Sequence, residues 1–176
     1  MTRSVHSQAD ERRTAAEKGI VVAAPSGRDA GTVPAVTRGA TLSWQIHYHI
    51  VFPVKYRRAL LDEDVVRIIG ETARGIQERY DIEFERLGCD RDHIHILCTA
   101  HPKIAPSQIV RVFKSITARE IFRSKPAVKK ALWGGEFWTD GYYVATVGER
   151  GGWEVVQRYV HNQGKPKEEL RQMPLF

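Results

Sequence analysis

The chain has 176 residues, of which 42% are hydrophobic and 27% are charged. This length supports one domain with a full core and a shorter tail. An excess of 27 Lys and Arg over 21 Asp and Glu gives a net charge of +6, which suits a polyanionic partner such as nucleic acid. The sequence has only two cysteines, no secretory leader and no apolar run long enough to cross a membrane. We therefore expect a cytoplasmic protein without disulfides or a membrane partner.

Residues 1–41 contain no aromatic side chain and are rich in Ala, Gly, Ser, Thr and Arg. Such a segment has little apolar surface to bury, so we predict a disordered N-terminal tail with at most a short strand at 19–23. The residues with core-forming patterns predict one domain at 42–165, followed by a short C-terminal tail at 166–176.

The domain begins with a predicted strand at 42–53, in which apolar and polar residues alternate up to Pro53. A helix is predicted over 62–80, where apolar residues recur every three or four positions and acidic residues occupy the first turn. Two further strands are predicted at 82–87 and 93–100, and a tight turn joins them.

Pro106 opens a second predicted helix, which runs to about Arg123. The stretch 132–148 has aromatic and β-branched residues on both sides of a T-D-G turn, which predicts strands. A last helix is predicted over 153–163, entered through two glycines. This order is β-α-β-β-α-β plus a terminal helix. It predicts an α+β, ferredoxin-like (RRM-like) antiparallel sheet, with helices on one face and the other face open.

Two histidine pairs, His47/His49 and His93/His95, have the same spacing. Residues two apart in a strand point to the same face, so each pair lies on the open face of the predicted sheet. Two neighbouring imidazoles there can bind one cation. The first and third strands are neighbours in this arrangement, which places all four histidines within one patch. The pattern alone leaves open that they are ordinary solvated residues.

Two other sets of residues could belong to a metal site. Cys89 and Cys98 offer thiols for a structural zinc site, although strand alternation turns Cys98 into the core. On the last predicted helix, Tyr159 and Gln163 are four residues apart and share a face. They are either a core tyrosine and a solvated amide, or a phenolic oxygen beside an amide ligand of a metal.

Five segments, taken together and in order, resemble the small single-tyrosine transposases of the HUH nuclease superfamily, which are encoded by insertion sequences that move as single-stranded DNA. The resemblance covers roughly residues 44–165. The segments are HIVFPVKYRRALL at 49–61, DHIHIL at 92–97, APSQIVRVFKSITAREIF at 105–122, LWGGEFWTDGYYVATVG at 132–148 and QRYVHNQ at 157–163.

The resemblance implies that His93, His95 and Gln163 bind a divalent metal ion, Mg²⁺ or Mn²⁺, and that Tyr159 is the catalytic nucleophile. It further implies that Tyr159 attacks a phosphodiester of single-stranded DNA, which leaves a 5′-phosphotyrosine and a free 3′-hydroxyl. A second 3′-hydroxyl then rejoins the strand, so that the protein acts as a DNA transposase.

Members of this family bind DNA hairpins near the ends of the element and act as dimers. The resemblance therefore implies a homodimer in which the tyrosine helix acts in trans, with Gly151 and Gly152 as a hinge. It implies that His47 is an open-face residue rather than a ligand, while His49 coincides with a histidine common in the family's first strand. The basic residues that we expect to contact DNA are Lys55, Arg57, Arg58, Arg111 and Lys114.

Three other functions remain compatible with the sequence. A non-catalytic module that binds single-stranded nucleic acid has the same order of elements, although such modules carry aromatic residues on their central strands. A domesticated HUH endonuclease that no longer transposes would keep the same residues. A hydrolytic metallonuclease would use water instead of Tyr159 and would form no covalent adduct.

Overall fold

A computed structural model of the chain describes residues 20–22, 37–38 and 43–147. In this part no helix is both long and apolar enough to cross a membrane. The helices are α1 (Glu63–Arg79), α2 (Pro106–Ser124) and α3 (Pro126–Lys130). The strands are β1 (Ile20–Val22), β2 (Thr37–Arg38), β3 (Ser43–Trp44), β4 (His47–Pro53), β5 (Ile82–Cys89), β6 (His93–Ala100) and β7 (Tyr143–Val147).

Five strands form one sheet in the order β1-β5-β6-β4-β7, while β2 pairs with β3 in a separate ribbon. All neighbouring strands of the large sheet are antiparallel. From β4 to β7 the chain follows the order β-α-β-β-α-β, with the five-residue α3 added after α2, so the predicted α+β class is confirmed. The short strand predicted near residue 20 is present as β1 and pairs with β5. The helix predicted over 153–163 lies outside the described residues.

The core lies between the helices and one face of the sheet. Strand β6 turns Ile94, Ile96 and Cys98 towards this core, which leaves its histidines on the other face. Helix α1 contributes Val65, Ile69, Ala73 and Ile76, and helix α2 contributes Ile109 and Phe113. On the histidine face, Leu97 and Val147 form a separate small cluster of buried residues. Part of the face away from the helices is therefore buried, whereas Tyr143 on the same face is 60% exposed.

Helix α1 starts where Asp62 can cap it. The Asp62 carboxylate accepts a hydrogen bond from the Val65 amide at 2.9 Å. Lys125 also donates to both oxygens of this carboxylate, at 3.0 and 2.9 Å. Burial alone raises the pKa of Asp62, but the hydrogen bonds from Lys125 and Val65 outweigh it, so the pKa lies below its usual value. The same carboxylate thus fixes the start of α1 and ties it to the end of α2.

Replacing Asp62 with Ala should lower the free energy of unfolding by about 1 kcal/mol at neutral pH, because the helix loses its cap. Asp62→Asn should retain most of this stability, since its amide oxygen still accepts the Val65 amide. The folded-state pKa is depressed, so the contribution of the carboxylate is present above its unfolded pKa of about 3.9 and is lost as pH falls through the folded pKa. Urea denaturation at several pH values checks this. Glu78→Ala, at an exposed position beyond the first turn of the same helix, serves as control. A loss in Asp62→Ala that does not shrink at low pH would contradict the role of the carboxylate.

One predicted strand segment has a different structure. We predicted that 132–148 forms strands on both sides of a turn, but only β7 does so. Before the turn, Trp133–Gly135 form a 3-10 turn in which Gly134 and Gly135 have φ values of 83° and 70°. Such left-handed values are incompatible with a strand. Trp138 makes only an isolated bridge to Val54, because its indole is buried in the core and donates to Thr117 Oγ1 at 2.9 Å.

Candidate active site

The histidines of β6 lie side by side on the sheet face away from the helices. In the antiparallel register His95 lies opposite Val51 and His93 lies opposite Pro53. The two rings have centroids 5.0 Å apart. His95 is 3% exposed, whereas the side chain of His93 is 21% exposed. The predicted pairing of these two imidazoles on one face is therefore confirmed.

His49 of β4 is the neighbour of His95 across the strand pair. His49 Nε2 lies 3.1 Å from His95 Nδ1, and the two rings are stacked with centroids 5.3 Å apart. If His95 binds a metal through Nε2, its proton is on Nδ1, which then donates to His49 Nε2. In that arrangement His49 is a partner of a metal ligand and not itself a ligand.

Burial keeps these imidazoles neutral. It lowers the pKa of His95 to about 3, with smaller contributions from the nearby His93 and His49. Burial also lowers the pKa of His49. Only a neutral imidazole has a lone pair for a metal, so at neutral pH His95 needs to lose no proton before it binds one.

His93 lies between two carboxylates. Its Nδ1 is 2.7 Å from Asp92 Oδ1, within hydrogen-bonding distance. Its Nε2 is 3.6 Å from Asp90 Oδ2, too far for a hydrogen bond. The side of His93 that carries Nε2 therefore faces a negative charge across a gap, which favours the approach of a cation.

His47 has a different partner from the other histidines. The register of β5 and β6 shifts between Phe84 and Arg86, which indicates a bulge at Glu85. The Glu85 carboxylate lies 2.6 Å from His47 Nδ1, and His47 is 7% exposed. Because an ionised carboxylate only accepts hydrogen bonds, His47 donates its Nδ1 proton to Glu85. This contact agrees with the expectation that His47 is not a ligand.

The chemistry of the donors fits a divalent metal ion only in part. His93 and His95 supply two adjacent nitrogens, but no group of three or more His, Cys, Asp and Glu residues suited to a metal occurs within the described ranges. The thiols do not complete the site, because both are buried in the core. Burial, assisted by Asp90, raises the pKa of the Cys89 thiol to about 12, and burial likewise raises the pKa of Cys98. A zinc site with these cysteines is therefore disfavoured.

The loop after β4 brings basic residues close to the histidines. Tyr56 and Arg57 have φ values of 59° and 52°, which are rare for residues with side chains. Arg57 Nη2 lies 2.9 Å from Asp92 Oδ2, and Lys55 Nζ forms ion pairs with Glu136 and Asp140. Two of the basic residues predicted to contact DNA thus have acidic partners within the protein.

Lys114, another residue predicted to contact DNA, holds the turn before β7. Its Nζ donates to the carbonyl oxygens of Thr139, Asp140 and Gly141 at 2.7, 3.2 and 3.0 Å. The ammonium also lies 4.7 Å from the centre of the Phe52 ring. Burial lowers the pKa of Lys114, although the charge of Asp140 opposes this. These contacts favour a structural role, whereas Arg58 and Arg111 are exposed.

We expect Lys114→Met to destabilise the protein by about 1–3 kcal/mol, because three carbonyls lose a charged donor. Arg111→Met, on the exposed surface of the same helix, should leave stability nearly unchanged. If Arg111 contacts a phosphate, its loss should weaken DNA binding. It should also reduce the slope of the logarithm of the binding constant against the logarithm of the salt concentration by about one. Urea denaturation and binding of a labelled DNA hairpin at several salt concentrations check both variants. A stable Lys114→Met protein with a reduced salt dependence would instead assign Lys114 to the DNA.

Sequence reasoning missed several residues of this site. Asp92 adjoins His93 in the sequence, but its contact with Arg57 depends on the loop after β4 and gives no sequence signal. Glu85 gives none because its contact with His47 spans 38 positions and depends on a bulge. Tyr143 lies opposite Val51 on the histidine face, 6.4 Å from the His49 ring and 60% exposed. Four predicted residues lie outside the described part of the chain: Tyr159, Gln163, Gly151 and Gly152.

Comparisons with known proteins agree on one family. The family model "Transposase IS200 like" matches residues 42–163. The chain is 31% identical over 126 residues to the ISDra2 transposase TnpA of Deinococcus radiodurans, covering 72% of this chain and 89% of that protein. It is 32% identical over 120 residues to the transposase for insertion sequence element IS200 of Salmonella typhimurium, covering 68% and 78%. A crystal structure of a candidate transposase from Deinococcus radiodurans is 29% identical, with a TM-score of 0.59 and coverage of 72% and 97%.

Proposed function

Because this chain belongs to the IS200-like transposase family, we propose that it cuts and rejoins single-stranded DNA at hairpin-marked ends through a 5′-phosphotyrosine intermediate. The observation that carries the proposal is the pair of adjacent imidazoles, His93 and His95, on one face of the sheet within the matched region. The burial that keeps His95 neutral supports a role as a metal ligand.

In this proposal His93, His95 and Gln163 hold the metal. Two nitrogens and one amide oxygen leave positions for phosphate oxygens and water. A bound divalent ion would polarise the phosphodiester and stabilise the charge that develops on it. Mn²⁺ accepts nitrogen ligands more readily than Mg²⁺, so we expect Mn²⁺ to bind more tightly. Asp90 adds a negative charge 3.6 Å from His93 Nε2, on the side from which a cation approaches.

Tyr159 is the proposed nucleophile. Its phenolic oxygen forms a bond to phosphorus while the bond from phosphorus to the 3′-oxygen breaks, and a proton passes to that leaving oxygen. In the reverse direction, a 3′-hydroxyl attacks the phosphotyrosine and releases the phenol. Each step exchanges one phosphodiester for another, so strand joining needs no external energy. Gly151 and Gly152 are proposed as the hinge that lets the tyrosine helix act in trans within a homodimer.

The proposed DNA contacts are led by the exposed residues Arg58 and Arg111. Lys55 and Arg57 pair with acidic side chains and Lys114 donates to three carbonyls, whereas Arg58 donates to the Ala131 carbonyl at the longer distance of 3.4 Å. Tyr143 is added as a candidate for base stacking, since an exposed aromatic ring beside His49 suits an unpaired base. The expected ligand is single-stranded DNA folded into a hairpin.

The direct test mixes the protein with labelled single-stranded DNA from the flanks of its own gene, with Mg²⁺, Mn²⁺ or EDTA. Denaturing electrophoresis should show a metal-dependent covalent adduct and a shorter strand that ends in a 3′-hydroxyl. Cleavage without an adduct would indicate a hydrolytic nuclease. Tight hairpin binding with neither product would favour the non-catalytic binding module, for which the exposed Tyr143 is the supporting observation.

A further inference from the structure

Asp92 contacts two residues that differ in their expected roles. Its Oδ1 lies 2.7 Å from Nδ1 of His93, and its Oδ2 lies 2.9 Å from Nη2 of Arg57. We propose that Asp92, braced by Arg57, is a positioning residue that holds His93 in the tautomer whose Nε2 can bind a metal. The inference rests on the proposed function, because it takes His93 to be a ligand. It assigns to Arg57 a task within the site, in place of the DNA contact predicted from its charge.

The hydrogen bond determines where the proton of His93 lies. An ionised carboxylate has no hydrogen to donate, so at 2.7 Å from Asp92 Oδ1 the proton is on Nδ1. A neutral imidazole carries one such proton, and its lone pair is then on Nε2. Carboxylates that accept the second ring N–H of a metal-binding histidine orient the ring and increase its basicity. Asp92 has the position and the charge for this role.

The backbone around Asp92 holds the carboxylate in place. The carbonyl of Asp92 accepts the amide of Val54 at 2.8 Å, and the carbonyl of Arg91 accepts the amide of Leu61 at 3.0 Å. Within the turn, the amide of Asp90 donates to the carbonyl of His93 at 2.9 Å. The segment before β6 is therefore tied both to the loop after β4 and to the first residue of its own strand. A carboxylate on this segment has little freedom to leave the imidazole.

The left-handed loop is what brings Arg57 to Asp92. Two consecutive residues with side chains, Tyr56 and Arg57, have positive φ, which costs conformational energy and persists only where surrounding contacts enforce it. Here the Lys55 amide donates to the Phe137 carbonyl at 2.8 Å, and the Lys55 ammonium pairs with Glu136. The Arg57 side chain is 68% exposed, so its ion pair adds little stability. The energetic cost of this loop is explained if the loop places Arg57 where it fixes the orientation of Asp92.

The test compares Asp92→Ala, Asp92→Asn and Arg57→Gln with the native protein. Imidazole ¹⁵N spectra of the metal-free protein at a pH of about 8 report the tautomer of His93, and titration with Mn²⁺ alone reports its affinity. The native protein should show the proton of His93 on Nδ1. In Asp92→Ala we expect a mixture of tautomers and an Mn²⁺ affinity lower by about 10- to 100-fold.

Asp92→Asn should keep the tautomer, because its amide oxygen still accepts the Nδ1 proton, and should lose less affinity. Arg57→Gln should also keep the tautomer and lose less affinity than Asp92→Ala. Arg67→Gln, an exposed arginine of α1 that also pairs with acidic residues, is the matched control and should match the native protein in both measurements.

The inference is overturned if the native protein carries the His93 proton on Nε2 or on both nitrogens. It is also overturned if Asp92→Ala changes neither the tautomer nor the affinity. Should Asp92→Ala fail to fold, an affinity in Asp92→Asn and Arg57→Gln equal to that of the native protein would overturn it. A native protein that has the expected tautomer but binds no Mn²⁺ and forms no DNA adduct would instead contradict the proposed function.

Discussion

Replacing Tyr159 with Phe should abolish formation of the covalent adduct and reduce DNA cleavage by at least about 10³-fold, because the variant lacks the oxygen that attacks phosphorus. Hairpin binding should be unchanged, since the aromatic ring is kept. Denaturing electrophoresis measures the adduct, and gel shift with the same labelled hairpin measures the binding.

Tyr80→Phe provides the control for this variant. Tyr80 is an exposed tyrosine at the end of α1, and its replacement should leave adduct formation intact. If Tyr159→Phe cleaves DNA at the native rate, then water or another residue is the nucleophile and the proposed mechanism fails. If Tyr159→Phe and Tyr80→Phe both lose cleavage, the cause is that replacing a tyrosine disturbs folding.

Replacing His95 with Ala should reduce the rate of metal-dependent cleavage about as much as Tyr159→Phe does, because the metal loses one of two neighbouring nitrogen ligands. The affinity for Mn²⁺ should fall in parallel, and raising the Mn²⁺ concentration should restore part of the activity. His93→Ala should behave in the same way. Single-turnover cleavage and calorimetric titration with Mn²⁺ measure the two effects.

His101→Ala is the matched control, because His101 directly follows β6 at the end opposite to His93. It contacts Trp44 through its ring, with centroids 4.7 Å apart, so its loss should affect stability rather than metal binding. Because His95 is buried, thermal unfolding of His95→Ala must accompany the kinetics. Native cleavage by a folded His95→Ala protein would mean that the metal site lies elsewhere.

Most of the elements that position the site can be predicted from the sequence. The alternation in 93–100 predicts that His93 and His95 share a face and that Cys98 turns inward, and the structure confirms both. This succeeds because strand parity is a local property, enforced by the buried isoleucines between the histidines. Helix α1 was predicted for the same reason, since its apolar spacing and its acidic start are both local signals.

The contacts that orient the site could not be predicted, because they depend on tertiary structure. The hydrogen bond from His47 to Glu85 joins residues 38 positions apart and depends on a bulge in β5. The pairing of Arg57 with Asp92 requires a left-handed loop, which sequence patterns do not predict for Tyr and Arg. The aromatic run before the T-D-G turn has the composition of a strand. Phe137 and Trp138 are instead buried in the core, and this segment makes an isolated bridge in place of a strand.

Strand β1 has a consequence for how copies of this protein can assemble. It occupies the outer edge of β5 by pairing with 87–89, so the edge of β5 is covered and β1 becomes the border of the sheet on that side. At the opposite border, β7 pairs only with β4 among the described strands. The two border strands of the sheet are therefore β1 and β7, which have three and five residues. Short border strands offer few unpaired backbone groups to a strand of another copy, so they limit edge-to-edge pairing between copies.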